Sequence, residues 1–335
     1  MTPGAVGFSQ ELRARARARD RRLVFPEGED VRVQAAAVEL GANKLARPIL
    51  LGSVEEIRTG LKGLGASGDG IEVIDPEMED RIVRYAEALQ DLRRHRGVTD
   101  SEARAFVRDP LLQGALMVHL GEADGSVAGC VRTTGDVILA GLWGVGVDDG
   151  IETVSSAFYM VFPEGHPRAS EVLTFTDAGV VPKPTPRQLA EIAVAAARSR
   201  RLVVGDEPRV AFLSYSTLGS SDGPSIEPLR EAAAMFRTLM PGVTVEGEMQ
   251  ADAALNQDVA IQKAPKSAIL GDANVLVFPD LNAANIAYKL TEQLGGAQAL
   301  GPVLQGLRRP CNDLSRGAKV DDIVAVACIT SLMAP

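Results

Sequence analysis

Short apolar runs closed by turn residues alternate along this chain with longer stretches whose apolar positions recur at helical spacing. The run Arg22-Leu23-Val24-Phe25-Pro26 reads as a strand closed by Glu27-Gly28-Glu29-Asp30, and residues 31–40 then read as a helix ended by Gly41. Pro48-Ile49-Leu50-Leu51-Gly52 is the next strand. Ser53, ahead of Val54-Glu55-Glu56, has the capping-box pattern of a helix start. Residues 71–75 predict a further strand, 79–96 a long amphipathic helix and 101–108 another helix, after which 114–118 leads to Ala123-Asp124-Gly125. Strands that alternate with helices in this way predict a largely parallel, doubly wound sheet.

A second series begins near residue 150. Residues 154–161 and 172–175 read as neighbouring strands, and Thr185 caps a helix over 186–200. The unbroken apolar runs at 209–214 and 273–279 predict central parallel strands buried on both faces. Residues 287–294 and 321–333 read as helices. At 335 residues, two α/β domains of about 150 residues each are expected.

Composition agrees with that class. Apolar residues make up 46% of the chain but aromatics only 4%, so Ala, Val, Leu and Ile must fill the cores. The formal charge of −9 gives no general attraction to nucleic acid or anionic lipid, so any phosphate-bearing ligand must be held by local cations. The cysteines Cys130, Cys311 and Cys328 are scattered, which suits a reducing compartment. The histidines His95, His119 and His166 lack ligand spacing, so no metal site is expected. No apolar run is long enough to span a bilayer. The arginines at 13, 15, 17, 19, 21 and 22 precede no apolar signal core and read as the solvated face of an N-terminal helix.

Two loops hold candidate chemistry. Gly219-Ser220-Ser221-Asp222-Gly223 follows a buried strand, at the edge where parallel sheets bind ligands. It reads either as a phosphate cradle of free N–H groups or as a plain strand-to-helix turn. Near the C-terminus, Pro310 and Gly317 bracket Asn312, Asp313, Ser315 and Arg316, and Asp321 and Asp322 then open an apolar helix. Taken alone, carboxylates there are an ordinary helix start.

The run Asn312-Asp313-Leu314-Ser315-Arg316-Gly317, followed by Asp322-Ile323-Val324, resembles the C-terminal signature of the phosphate acetyl/butyryl transferases. Further blocks resemble that family in order: Phe25-Pro26-Glu27-Gly28 with Asp30 and Arg32, Ala123-Asp124-Gly125 with Thr133-Thr134-Gly135-Asp136, Glu248-Met249-Gln250-Ala251-Asp252, and Phe278-Pro279-Asp280-Leu281-Asn282. The resemblance implies acetyl transfer between acetyl phosphate and coenzyme A, releasing or consuming inorganic phosphate. Coenzyme A is then a substrate, with no tightly bound cofactor and no metal. It further implies a homodimer of isocitrate/isopropylmalate dehydrogenase-like topology, whose domain I is 1–150 plus 302–335 and domain II 151–301, around a cleft, and the sparse cysteines make a cytoplasmic location the expected one.

By position in the motif, Asp322 matches the base that takes the thiol proton, Ser315 the residue that orients the thiol or stabilises the transition state, and Arg316 a binder of phosphate and developing charge. Arg93 matches a second substrate-binding arginine, and Thr133, Thr134, Tyr288 and Lys289 are candidate donors to the leaving phosphate. Asp322 is a weak base for a thiol, and Arg316 together with burial of Asp322 is expected to narrow the gap. Two family cations are replaced, by Leu139 and by Leu218, which predicts weakened anion binding. The alternatives are phosphate butyryl transfer and a non-catalytic, acyl-CoA-binding regulatory role. An oxidoreductase of the same topology is disfavoured because no nicotinamide or metal site is found.

Overall fold

The computed structural model describes residues 5–66 and 68–335. The chain forms two compact units, one of 9–149 with 307–335, the other of 150–306 with the described residues before Ser9.

The first unit is built on α1 (Ala5–Arg19), β1 (Arg22–Phe25), α2 (Val31–Ala42), β2 (Arg47–Leu51), α3 (Val54–Gly63), β3 (Glu72–Ile74), α4 (Glu79–Leu92), α5 (Asp100–Phe106), α6 (Pro110–His119), β4 (Gly125–Ala128) and α7 (Thr134–Gly144). After β5 (Ser155–Val161), β6 (Val172–Thr176), α8 (Pro186–Val203), β7 (Arg209–Leu213), α9 (Glu227–Leu239), β8 (Thr244–Met249), α10 (Ala251–Leu255), α11 (Gln257–Lys263), β9 (Val275–Val277), α12 (Leu281–Gly295) and β10 (Gln298–Gln305), the chain returns for β11 (Cys311–Asp313) and α13 (Val320–Met333).

The five strands of the first unit run in the order β11-β4-β1-β2-β3, every neighbouring pair parallel. Helices α2, α3 and α13 pack with one another and against β1, β2 and β4, and α4 to α7 form a second group. Apolar residues of β1 to β3 (Val24, Ile49, Leu51 and Ile74) meet Ile82, Tyr85, Leu89, Leu112 and Leu116 of the helices in one buried cluster. Fully burying an aliphatic side chain of this size contributes roughly 1.5–3 kcal/mol, so the loops at the strand ends stand on a rigid base.

The second sheet has the order β10-β5-β6-β9-β7-β8. Its β6, β9, β7 and β8 are parallel, but β5 is antiparallel to both β6 and β10. The neighbouring strands 154–161 and 172–175 are therefore an antiparallel pair, which a short connection allows without a crossover helix.

Some expected boundaries shift. The helix predicted over 79–96 ends at Leu92 and is followed by a 3₁₀ turn at Arg94–Arg96. The helix at 287–294 starts earlier, at Leu281, because the Asp280 carboxylate accepts from Ala283 N–H and caps it. The N-terminal arginines are not simply solvated: Arg13 bonds Glu39 at 2.7 Å and Arg17 donates to the Asn43 carbonyl at 3.0 Å, seating α1 on α2.

Candidate active site

Parallel strands bring the carboxyl ends of β1, β4 and β11 to one edge of the five-stranded sheet, with β4 in the middle. The strand order reverses between β1 and β4, which is where open α/β sheets hold ligands. Three loops meet there, and side chains from within the chain tie them together.

Glu27, two residues beyond β1, places its carboxylate under the β4–α7 loop. Its Oε2 accepts from the N–H groups of Gly129 (2.8 Å) and Cys130 (2.7 Å), and its Oε1 from those of Val131 (3.0 Å) and Arg132 (2.8 Å). Four successive N–H groups facing one point form an anion nest, and here the anion is the protein's own. Glu27→Ala should therefore destabilise the chain by about 2–3 kcal/mol, since these bonds involve a charged acceptor. Urea unfolding of that variant beside Glu27→Gln, which keeps one acceptor oxygen, measures it. An unchanged stability for Glu27→Ala would show that the loop holds itself.

Arg32, on the first turn of α2, is the second tie. It forms a two-pronged bond with Asp30 (3.0 and 2.7 Å) and donates to the carbonyls of Arg316 (2.8 Å), Ala318 (3.2 Å) and Cys130 (2.9 Å). The bond from Arg32 holds the Asp30 carboxyl below its ordinary range against the opposing effect of burial. One guanidinium thus spans the ends of all three loops.

Asp313, the last residue of β11, is the third tie. It is fully buried, and its Oδ2 accepts a 2.6 Å bond from the Thr134 hydroxyl at the start of α7. Its Oδ1 is buried and has no partner among the described residues. Burial pushes this carboxyl up to about 6, with Thr134 and the Leu314 N–H opposing and the negative charge of Glu27 adding to the rise. Gly129 is required beside it: its φ is +111°, and a Cβ there would sit 2.3 Å from Asp313 Oδ1.

On this frame the β11–α13 segment presents its polar side chains outward. Ser315 is exposed and its Oγ accepts from Gly317 N–H at 3.2 Å, leaving the hydroxyl proton free to donate. Arg316 is exposed, and among the described residues its guanidinium has no partner, although its carbonyl is fixed by Arg32. Asp322 lies in the first turn of α13, half-buried, and its carboxylate accepts from Lys319 N–H at 2.9 Å. The expected burial of Asp322 is thus only partial, because a first-turn side chain reaches back to the open helix end rather than into the core. Lys319, which the motif did not single out, is a second exposed cation on this segment without a described side-chain partner.

The other candidates are placed differently. Thr133 is the N-cap of α7: its Oγ1 accepts from Asp136 N–H, and its N–H and hydroxyl donate to Asp136 at 3.2 and 3.0 Å. Those bonds hold the Asp136 carboxyl below its ordinary range. Arg132 is bonded to Asp109 at 3.0 Å and Asp136 at 3.4 Å. Arg93 stands over the Trp143 ring (5.5 Å) and donates to the carbonyls of Leu142 and Trp143. Those carbonyls close α7. At 1.5 Å per residue, Leu142 is about 13 Å along the helix from Thr133, so Arg93 serves the opposite end from the three loops.

Tyr288 and Lys289 lie on α12 of the six-stranded unit. Tyr288 stacks on Phe158 at 4.2 Å, and the Lys289 ammonium stands 5.8 Å from the Tyr288 ring. Burial raises the Tyr288 hydroxyl above its ordinary range, Glu292 adding to the rise and a bond with Asn285 opposing it.

The loop after β7 is not an open phosphate cradle. Glu248, buried at the end of β8, fills it: its Oε1 accepts from Ser216 Oγ (2.9 Å) and Gly219 N–H (2.8 Å), and Arg230 clamps both oxygens at 2.8 and 3.2 Å. Burial opposes ionisation, but Arg230, the Gly219 N–H and Ser216 outweigh it and hold this carboxyl at about 2. Leu218 is an exposed residue of the same loop, with a φ of +44°. Leu139 is also exposed, on the wall of a groove of about 410 Å³ shared with Phe106, Trp143 and Arg132. Among the described residues no cluster of His, Cys, Asp and Glu could hold a metal ion.

Comparison with known proteins gives a consistent result. The phosphate acetyl/butaryl transferase family matches over residues 7–331. A phosphate acetyltransferase of Paracoccus denitrificans is 44% identical over 317 residues, which cover 95% of this chain and 96% of that one. The crystal structure of a phosphotransacetylase from Streptococcus pyogenes superimposes with a TM-score of 0.93 at 37% identity, covering 98% of both chains. The structure of 4-hydroxythreonine-4-phosphate dehydrogenase from Klebsiella pneumoniae superimposes with a TM-score of 0.54 at 12% identity, a likeness of fold alone.

Proposed function

Because the chain belongs to the phosphate acetyl/butyryl transferase family, we propose that its β11–α13 segment carries out acetyl transfer between acetyl phosphate and coenzyme A. The activity is that of an acyltransferase: acetyl-CoA and phosphate interconvert with coenzyme A and acetyl phosphate. The observation that supports the assignment of residues is that Ser315 and Arg316 are exposed, with Asp322 half-buried at the start of α13, beside loops fixed from behind by Arg32 and Glu27.

In the direction that makes acetyl-CoA, the Asp322 carboxylate takes the proton from the coenzyme A thiol. Ser315 orients the sulfur. The thiolate attacks the acetyl carbonyl carbon, a C–S bond forms, and the bond from that carbon to the bridging oxygen breaks, the oxygen leaving with the phosphate. The electron pair leaves on phosphate, where Arg316 and Lys319 neutralise it. Coenzyme A enters and leaves as substrate, with no resident cofactor or metal in the scheme.

The working form is a cytoplasmic homodimer in this reading. Ile286, Leu290 and Leu294 support the dimer, because they recur every fourth residue on α12 and are 58%, 52% and 82% exposed.

Acetyl transfer followed by thioester absorbance, with propionyl and butyryl phosphate as comparators, tests the assignment. Turnover that is fastest with acetyl phosphate is expected. Absence of turnover with every acyl phosphate, alongside tight acyl-CoA binding, would instead identify a regulatory protein. Within this scheme Leu139→Arg should lower the KM for acetyl phosphate by about tenfold, since a charge-assisted bond contributes roughly 1.5–3 kcal/mol and this position is exposed. An unchanged KM would mean that the groove beside α7 does not face the phosphate.

A further inference from the structure

Asp313 has no step in the scheme above, yet it is the one carboxylate of the three-loop cluster that is fully buried and aimed at a candidate substrate donor. Its position is built with care. Gly129 makes room for Oδ1, β4 and β11 pair Asp313 with Ala128, and Thr134 stands 2.6 Å from Oδ2.

A threonine hydroxyl has one proton to donate. Facing an ionised Asp313, Thr134 gives that proton to the carboxylate, and only its lone pairs remain for anything outside. Facing a protonated Asp313, Thr134 accepts the carboxyl proton, and its own is released to bond an oxyanion. We propose that Asp313 is a positioning residue that sets the hydrogen-bond polarity of Thr134, so that this hydroxyl donates to a phosphate oxygen only when Asp313 holds a proton. The proposal rests on the reading of Thr134 as a substrate-binding residue.

The surroundings place the switch in an accessible range. Burial, the bare Oδ1 and the Glu27 charge all favour the protonated acid, while Thr134 and the Leu314 N–H favour the anion. Several packed elements bring ionisable groups near Asp313. Glu27 faces it from the β1–α2 loop, with Asp30 and Arg32 of α2 paired behind, and the Cys130 thiol comes from the β4–α7 loop. Asp136 of α7 is turned to Thr133 and Arg132, and Asp322 of α13 to the Lys319 backbone. The balance between the two forms therefore tips at about 6. Oxyanion binding at Thr134 strengthens below that pH and weakens above it.

The probe is inorganic sulfate, which stays a dianion where phosphate would itself titrate. Sulfate binding is measured by the rise in thermal unfolding midpoint at about pH 5 and about pH 7.5, for the wild type, Asp313→Asn and Thr134→Val. Affinity of the wild type should fall by about tenfold between the two, a charge-assisted bond gained or lost. In Asp313→Asn an amide nitrogen in the place of Oδ2 donates to the Thr134 Oγ, so the threonine proton keeps pointing outward. Affinity should then hold near the wild type's acid value at both pH values. Thr134→Val, without a hydroxyl, should bind weakly and alike at both.

Retention of the wild-type pH dependence in either variant overturns the proposal, and the threonine variant decides alone if the asparagine variant does not fold. The acetyl transfer assay is independent of this test. No acyl transfer with an intact sulfate response would sink the assigned reaction and leave the switch standing, and the reverse result would do the opposite.

Discussion

Asp322→Asn is expected to lower kcat for acetyl transfer by about 10²- to 10⁴-fold, the usual contribution of a positioned general base. The fold should survive, because the asparagine oxygen can still accept from Lys319 N–H as the carboxylate does. Losing the charge from the first turn of α13 costs only about 0.3–1 kcal/mol. The size of the kinetic effect depends on how hard the proton transfer is. An ordinary thiol near 8.5 and an ordinary Asp near 3.9 differ by about 4.6 units, or roughly 6 kcal/mol. Burial was expected to reduce that difference, but Asp322 is only half-buried at a helix start. The reduction must then come from the thiolate, stabilised by cations as it forms. Near-normal turnover in Asp322→Asn would remove Asp322 from the chemistry and shift attention to a thiolate formed without it.

That requirement makes Arg316→Ala the second large effect, with kcat/KM for acetyl phosphate falling by about 10²- to 10³-fold. The cations around the three loops are mostly committed to internal bonds. Arg32 holds Asp30 and three carbonyls, Arg132 holds Asp109 and Asp136, and Arg93 closes α7. Leu139 adds no charge. Among the described residues of the β11–α13 segment, Arg316 and Lys319 are left to meet an incoming phosphate. Arg316→Lys should recover only part of the loss, since an ammonium lacks the two-pronged geometry of a guanidinium. Steady-state kinetics with acetyl phosphate as the varied substrate, on Arg316→Ala with and without Lys319→Ala, separates the two. A loss below about tenfold in the double variant would place the phosphate elsewhere.

Hydrophobic patterning made the central strands legible. The runs at 22–26, 48–52, 209–214 and 273–279 are apolar because both faces of these parallel strands are covered, and all four are strands. Strand β8 was not legible, since Thr244-Val245-Glu246-Gly247-Glu248-Met249 contains two carboxylates and a glycine. Glu248 is tolerated there because Arg230, Ser216 and Gly219 satisfy it. None of those partners is near it in sequence.

The proposed catalytic residues are read from one short contiguous motif. Ser315, Arg316 and Asp322 fall within eight residues and share one segment. Glu27 read as a turn residue, yet its four donors lie more than 100 positions away. Asp313 read as part of a motif, yet its depth follows from Gly129 and its bond from Thr134, both on other strands' loops. Arg93 shows the opposite case, a cation suited to a substrate in the sequence and bonded to two carbonyls of α7 in the fold.

The carboxylates of Glu27 and Glu248 have one more consequence. Glu27, in the loop after β1, and Glu248, near the end of β8, each reach a loop at the carboxyl edge of their sheet and take N–H groups that such loops commonly offer to a phosphate. The backbone of each loop therefore already carries a resident competitor, covalently attached and present at an effective concentration that no dissolved dinucleotide reaches. The main-chain donors of both loops are in this way occupied from within, independently of Ser315, Arg316 and Asp322.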